Sequence, residues 1–175
     1  MPKICDNKSV GQIILKGKNL LMIERKNYPE SFALPAGHLD GDEFLHSAFR
    51  ETKEEVGISI VTNDLVLSRT IQNPCKREHG SYHHWAVYKS ANFYGKPKEG
   101  SDAKNFFWAS PKKLQSLVKR TEYFIAKYNI PYIEVGKLTE AIFGNPEQKN
   151  TDSEWMKKMG IEPVWYYILK ELKII

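Results

Sequence analysis

Cysteine is scarce in this chain. Cys5 and Cys75 are the two among 175 residues, and they form no C-x-x-C pair. A disulfide scaffold, a zinc ribbon and a thioredoxin-type motif therefore find no support in the pattern. The pair reads as two free thiols in a reducing cytosol. Long apolar runs are lacking as well. No stretch approaches the ~18–20 residues of a membrane-spanning helix. The opening MPKICDNKSV has no apolar core of a signal peptide. A soluble, cytoplasmic protein with no membrane partner is the expectation. Internal repeats, low-complexity segments and blocks of like charge are missing too. Solenoids and charged nucleic-acid tails have no basis here.

What is present is enough for a core. The chain is 41% hydrophobic and 12% aromatic, and its length suits a single domain. The net charge is +5 and the pI about 9.0. That surplus favours anionic ligands such as nucleotides, although a solvated surface with extra lysines accounts for the charge by itself. Residues 10–15 and 20–23 are apolar and flank Lys16-Gly17-Lys18-Asn19, the pattern of a β-hairpin. Further strands are expected at 58–61, 65–71, 82–93 and 105–109. Residues 32–37 form a short extended piece. Ser110-Pro111 signals a helix N-terminus, with the helix ending near Tyr128 before Pro131. Beyond it, 132–143 reads as a helix broken at Gly136, 145–153 as a polar loop, and 164–172 as an amphipathic helix after Pro163. Mixed strands with helices packed on them imply an α/β sandwich. We divide the chain into 1–130, the main domain, and 131–175, a helical extension packed on it.

The most informative segment is 37–58, GHLDGDEFLHSAFRETKEEVGI. Asp42 reads as a helix N-cap with Glu43 in the first turn. Leu45, Ala48, Phe49, Thr52 and Val56 recur at helical spacing, and Gly57 suits a helix stop. Glu51, Glu54 and Glu55 fall on the face beside that stripe. Three clustered carboxylates repel one another unless a cation lies among them, and oxygen-rich clusters suit Mg²⁺. An ordinary acidic surface helix, with Arg50 paired to Glu54, explains neither the Gly37 loop nor Gly57.

The same segment resembles the Nudix box, G-x5-E-x7-R-E-U-x-E-E-x-G-U with U apolar. Arg50, Glu51, Glu54, Glu55, Gly57 and Ile58 match in register, with Thr52 at an aliphatic position. The first half is one residue short. A deletion within a helix would rotate everything before it by ~100°, so we place the deletion in the loop and Asp42, rather than Glu43, at the first acidic position. The resemblance covers about residues 10–128 and implies a Nudix-like sandwich, MutT-like in activity. The implied reaction is Mg²⁺- or Mn²⁺-dependent hydrolysis of a nucleoside diphosphate linked to another group, such as a nucleoside triphosphate or ADP-ribose. It implies Glu54 and Glu55 as principal metal ligands, Glu51 as ligand or base, and Arg50 as their orienting cation. The backbone at Ala36 and Gly37 would add a ligand or approach the phosphate. The general base is unassigned; Glu99 and Asp102 are candidates, although solvated loop acids are the simpler account.

Lesser signals remain. Pro74 lies sixteen residues after Ile58, an offset shared by members that cleave ADP-ribose. Lys76 and Arg77 are candidate phosphate contacts. His83 and His84 should point to opposite faces of a strand, one buried and one exposed. One or two rings among Trp85, Tyr88, Phe93, Tyr94 and Trp108 could stack on a base. The aromatic tail could dock on its own domain, form a homodimer interface or act as a lid. Alternatives to the enzyme are a catalytically silent nucleotide- or RNA-binding module and, with less support, a hydrolase of capped RNA 5′ ends; no dedicated RNA-binding motif is present.

Overall fold

The computed structural model describes residues 3–148 and 150–175. Residues 1 and 2, at the head of the opening run, and 149, in the polar 145–153 stretch, lie outside the described residues. Nine strands and five helices follow one another along the described chain: β1 (Lys8–Lys16), β2 (Asn19–Arg25), β3 (Phe32–Ala33), β4 (Ala36–His38), α1 (Phe44–Val56), β5 (Ser59–Ile60), β6 (Asp64–Ile71), β7 (His83–Ser90), β8 (Phe93–Tyr94), β9 (Ala103–Ala109), α2 (Pro111–Tyr128), α3 (Val135–Phe143), α4 (Ser153–Lys157) and α5 (Pro163–Glu171). The main sheet runs β3-β2-β1-β7-β6, with β4 also paired to β1 and β9 to β2. β1 and β7 are parallel, and every other pairing in it is antiparallel. β5 and β8 form a separate ribbon.

Alternation along β1 fixes the layers. Val10 packs with Ala48 of α1. Its neighbour Gly11 faces the other way, where a Cβ would lie 2.5 Å from the Trp165 ring of α5. Successive strand residues point to opposite faces, so α1 covers one face and α5 the other. The expected mixed sheet flanked by helices is the observed architecture. Trp165, Ile168 and Leu169 of α5 belong to the same buried cluster as Ile13, Leu21 and Val87 of the sheet. The aromatic tail thus docks on its own chain. A second cluster joins Phe124 of α2, Ile142 and Phe143 of α3, and Trp155 of α4.

Several local expectations are corrected. The 82–93 run is two strands, because residues 91 and 92 turn the chain, with Ser90 Oγ and Asn92 exchanging hydrogen bonds. α3 is unbroken at Gly136, which lies in its first turn, where a Cβ would come within 3.1 Å of the Gln72 carbonyl. The N-cap of α1 is Glu43, not Asp42, whose carboxylate instead accepts the Glu43 N–H at 2.9 Å. Leu45 is exposed, while Ser47 and Glu55 join Ala48, Thr52 and Val56 on the buried side. α2 has the expected ends: Ser110 Oγ accepts the Lys113 N–H, and Pro111 is the first helical residue.

Asp152 secures the far end of the extension. It caps α4 by accepting the Glu154 N–H at 2.7 Å, and it receives Lys127 Nζ at 2.8 Å and the Tyr128 hydroxyl from α2. Burial would raise its pKa, but these donors outweigh burial and hold it down at about 2. The folded value lies below the unfolded ~3.9. Its stabilisation is therefore complete above that value and is lost as pH falls through about 2. Asp152→Ala should lower stability by about 1–2 kcal/mol at neutral pH. In urea denaturation the gap to the parent should narrow from pH 5 toward pH 2; a gap independent of pH would contradict this role.

Candidate active site

α1 ends where Gly57 turns left-handed at φ 70° and returns its N–H to Lys53 O at 3.0 Å. That stop fixes Glu51, Glu54 and Glu55 in the last two turns, over β4. The three carboxyls are graded in exposure. The Glu54 side chain is 55% exposed and that of Glu51 15%, while Glu55 is buried. Glu55 Oε2 accepts the Ala36 N–H at 2.9 Å. Gly37 lies directly under Glu51, and any Cβ there would collide with the Glu51 carboxyl. A glycine is required for that close approach.

Arg50 ties this face together. Its Nη1 donates to Glu51 Oε1 at 2.6 Å and to Glu54 Oε2 at 3.5 Å. Its Nη2 donates to the carbonyls of His38 and Leu39 at 3.2 and 3.3 Å. Its Nε lies 3.7 Å from Asp42 Oδ2. Asp42 therefore faces Arg50, whereas exposed Glu43 gives its backbone carbonyl to the Ser47 N–H. Charge-assisted bonds of this kind hold both glutamates and the loop in one geometry.

Electrostatics set Glu55 apart. Burial pushes its carboxyl up to about 8, partly offset by the Ala36 N–H and the Arg25 charge. Burial also raises Glu51, against the pull of Arg50. Burying a carboxylate is costly unless it is paired, and a cation beside Glu55 and Glu51 would relieve that cost. Arg25 is itself engaged, through Nε to Asp102 at 3.2 Å and through Nη1 to both oxygens of buried Glu162 at 3.2 Å. Burial works against its charge, but Glu162, Asp102 and Glu55 raise its pKa further.

The structure brings Glu51, Glu54, Glu55, Arg50, Ala36 and Gly37 into one site. Arg77 is committed elsewhere: its guanidinium pairs with Asp40 in two contacts, so it is not a free phosphate donor. Asp102 serves Arg25 and Asn27, and Glu99 is exposed. Trp85 and Tyr88 are core residues, and Phe93 stacks on Trp108 with ring centroids 5.7 Å apart. Tyr94 is exposed. Arg25, whose charge acts on Glu55, and its partner Glu162 were not found by sequence reasoning, since 137 positions separate the two and no motif links them. Gly100 was missed as well; a Cβ there would strike the carbonyls of Glu54 and Glu55, so the 95–102 loop packs on the end of α1.

The model of the NUDIX domain matches residues 7–128. The chain belongs to the NUDIX domain family. It is a Nudix-type hydrolase, and 37–58 is its Nudix box. The MutT NUDIX hydrolase of Burkholderia pseudomallei is similar in fold, at 23% identity and a TM-score of 0.51 over 58% of this chain and 81% of that one. A MutT/nudix family protein of Enterococcus faecalis gives 25% identity and a TM-score of 0.51 over 62% of this chain and 45% of its own. A NUDIX hydrolase of Nitrosomonas europaea gives 20% and 0.52, over 62% and 75%. No curated protein matches the sequence. The Nudix family uses divalent metals, and the all-oxygen donor set here fits a hard cation.

Arg50 should act on metal binding through the glutamates it orients. Arg50→Gln should weaken Mn²⁺ binding about 10–100-fold, the usual cost of losing an outer partner of a metal ligand. Arg50→Lys should recover only part, because one ammonium cannot span Glu51 and two carbonyls. Titration followed by electron paramagnetic resonance measures this; unchanged affinity in Arg50→Gln would leave Arg50 as a surface ion pair.

Proposed function

We propose that this chain hydrolyses a pyrophosphate bond in a nucleoside diphosphate linked to another group, with Mg²⁺ or Mn²⁺ as cofactor. The observation that carries the reading is the buried Glu55 carboxyl, held by the Ala36 N–H in the field of Glu51, which Arg50 in turn holds. Glu51, Glu54 and Glu55 would hold the ion, with the Ala36 backbone as a further ligand. A bound ion supplies charge neutralisation of the phosphates and a more acidic water. Buried Glu55 and exposed Glu54 would both serve as ligands to the ion. Gly37 leaves room for the Glu51 carboxyl to lie against β4. Arg50, which donates to Glu51, would fix that carboxylate in its role as ligand or base.

For the substrate, a nucleoside triphosphate and a nucleotide sugar such as ADP-ribose are both compatible with the basic chain. Pro74 supports the second weakly. It borders a cavity of about 100 Å³ beside Ala36 and Gly37, and also an outer groove of about 630 Å³ shared with Gln72 and Tyr167. The inner cavity is well below the ~300 Å³ at which ligand pockets begin, because Trp165 and Glu162 of the extension line it. The nucleoside would then lie outside it, over the exposed side of the box. Residues 131–175 are on this reading an integral part of the catalytic domain. The small inner cavity also favours a second reading, a silent module that binds a nucleotide and releases no product. A cytoplasmic location completes the proposal, in keeping with a chain whose described helices include none able to span a membrane.

Glu55→Gln keeps the side chain's shape, and its amide oxygen can still accept the Ala36 N–H. Both Glu55→Gln and Glu54→Gln should lower turnover by about 10²-fold or more, with folding intact by circular dichroism. A panel of ADP-ribose and nucleoside triphosphates with Mg²⁺ provides the assay. Near-normal turnover in both variants would refute the mechanism. Metal-independent binding without product would establish the silent module, and no AMP from ADP-ribose would remove that substrate.

A further inference from the structure

The two cysteines and two of the histidines meet at one end of the sheet. Topology brings them there. β6 ends and β7 begins at the same end, because the two are antiparallel neighbours. β1 is parallel to β7, so its start lies there too; β4 is antiparallel to β1, so its last residue does as well. Cys5 precedes β1, His38 closes β4, Cys75 follows β6 and His83 opens β7.

Their donor atoms converge. Cys5 Sγ lies 3.2 Å from His83 Nε2, and His38 Nε2 lies 3.2 Å from that same nitrogen. The two sulfurs are unbonded at 3.7 Å. All four donors lie within 4.8 Å of one another. A tetrahedral Zn²⁺ with bonds of about 2.3 Å to sulfur and 2.0–2.1 Å to nitrogen sets its donors about 3.3–3.8 Å apart. The cluster is close to that size.

The surroundings are those of ligands. His83 Nδ1 faces the Asn73 carbonyl at 3.0 Å and Asn73 Oδ1 at 3.3 Å, and that Oδ1 also accepts the Trp85 indole N–H at 3.0 Å. Nδ1 must therefore carry the proton, which leaves Nε2 as a bare lone pair aimed into the cluster. One lone pair accepts one hydrogen, yet both Cys5 Sγ and His38 Nε2 press on it. Each sulfur also receives a backbone N–H from two residues on: Asn7 to Cys5 at 3.3 Å and Arg77 to Cys75 at 3.4 Å. Such donors are the outer hydrogen-bonding partners that a metal-bound sulfur takes. The 75–80 turn is tight, with Cys75 N–H on Gly80 O at 2.8 Å, and any Cβ at Gly80 would collide with Cys75 Sγ. Cys5 N–H on Glu78 O at 2.9 Å ties the N-terminal segment to the same turn.

We propose that Cys5, His38, Cys75 and His83 form a closed structural Zn²⁺ site, separate from the oxygen-lined site on α1. Soft sulfur and imidazole donors select Zn²⁺ over Mg²⁺. Binding releases the two thiol protons, so two thiolates and two neutral imidazoles neutralise the ion. Four protein ligands leave no position open for substrate. The site fastens the N-terminal segment, the 75–80 turn, β7 and β4. His38 couples the two centres: its ring belongs to this cluster, while its carbonyl accepts Arg50 Nη2 of the Nudix box.

Titration of the reduced, metal-free full chain with Co²⁺ tests this, because thiolate-to-cobalt charge transfer reports sulfur ligation. One equivalent should give that band together with the strong visible absorption of tetrahedral Co²⁺, and Zn²⁺, but not excess Mg²⁺, should abolish both. Zn²⁺ should raise the melting temperature. Cys75→Ser and His38→Asn should bind Zn²⁺ at least about 100-fold more weakly, since losing even an outer partner of a ligand costs 10–100-fold. Glu54→Gln should keep the full cobalt spectrum, so a failure of the proposed hydrolysis would leave this result untouched. No charge-transfer band in folded wild-type chain, undiminished zinc affinity in both ligand variants, or recovery of Cys5 and Cys75 as a disulfide from reducing preparations would overturn the site.

Discussion

A carboxyl buried without a full counter-charge is the constraint around which this molecule is arranged. Glu55 sits on the inner side of α1 with one backbone N–H for company, that of Ala36. Removing a carboxylate from water costs several kcal/mol unless partners compensate, and burial accordingly pushes Glu55 up to about 8. The surrounding structure answers that cost in part. Arg25 lends its field, and is held in place by Asp102 and Glu162. Gly37 lets the strand come close enough for Ala36 to donate. On the proposed reading, a divalent cation held with Glu51 and Glu54 would offset the rest.

The box was legible because its information is local. A helix turns the spacing of Glu51, Glu54 and Glu55 into a common face, and Gly57 ends that helix where a left-handed residue is needed. The hairpin, α2 with its Ser110 cap, and α5 after Pro163 were legible for the same reason. Errors arose where tertiary contacts decided. Leu45 fits the apolar stripe but lies at the exposed start of α1, whereas Glu55 is drawn inside by β4. Gly136, read as a helix break, lies in the first turn of α3 close to the Gln72 backbone. Asp42 has capping chemistry, yet Arg50 and His46 take its carboxylate. Arg77, read as a phosphate contact, had a partner in Asp40 that lies 37 positions away.

The Cys and His residues show the same limit at its extreme. Local spacing is the usual sign of a zinc site, and Cys5, His38, Cys75 and His83 have none. They meet because one parallel and two antiparallel pairings bring four chain segments to one end of the sheet. A three-residue strand then serves two centres. Ala36 and Gly37 face the α1 carboxylates, and His38 reaches the sulfur and imidazole cluster. The C-terminal extension completes this arrangement from the α5 face, through Glu162 on Arg25 and Trp165 over Gly11.

The central claim is that the α1 carboxylates hold a catalytic divalent ion against β4. Crystals grown with Mn²⁺ and a non-hydrolysable nucleotide, measured by anomalous diffraction at the manganese edge, test it most directly. The account predicts an anomalous peak within coordination distance of the Glu54 and Glu55 carboxylates, with phosphate oxygens on its open side. A nucleotide bound with no manganese at those carboxylates would contradict it.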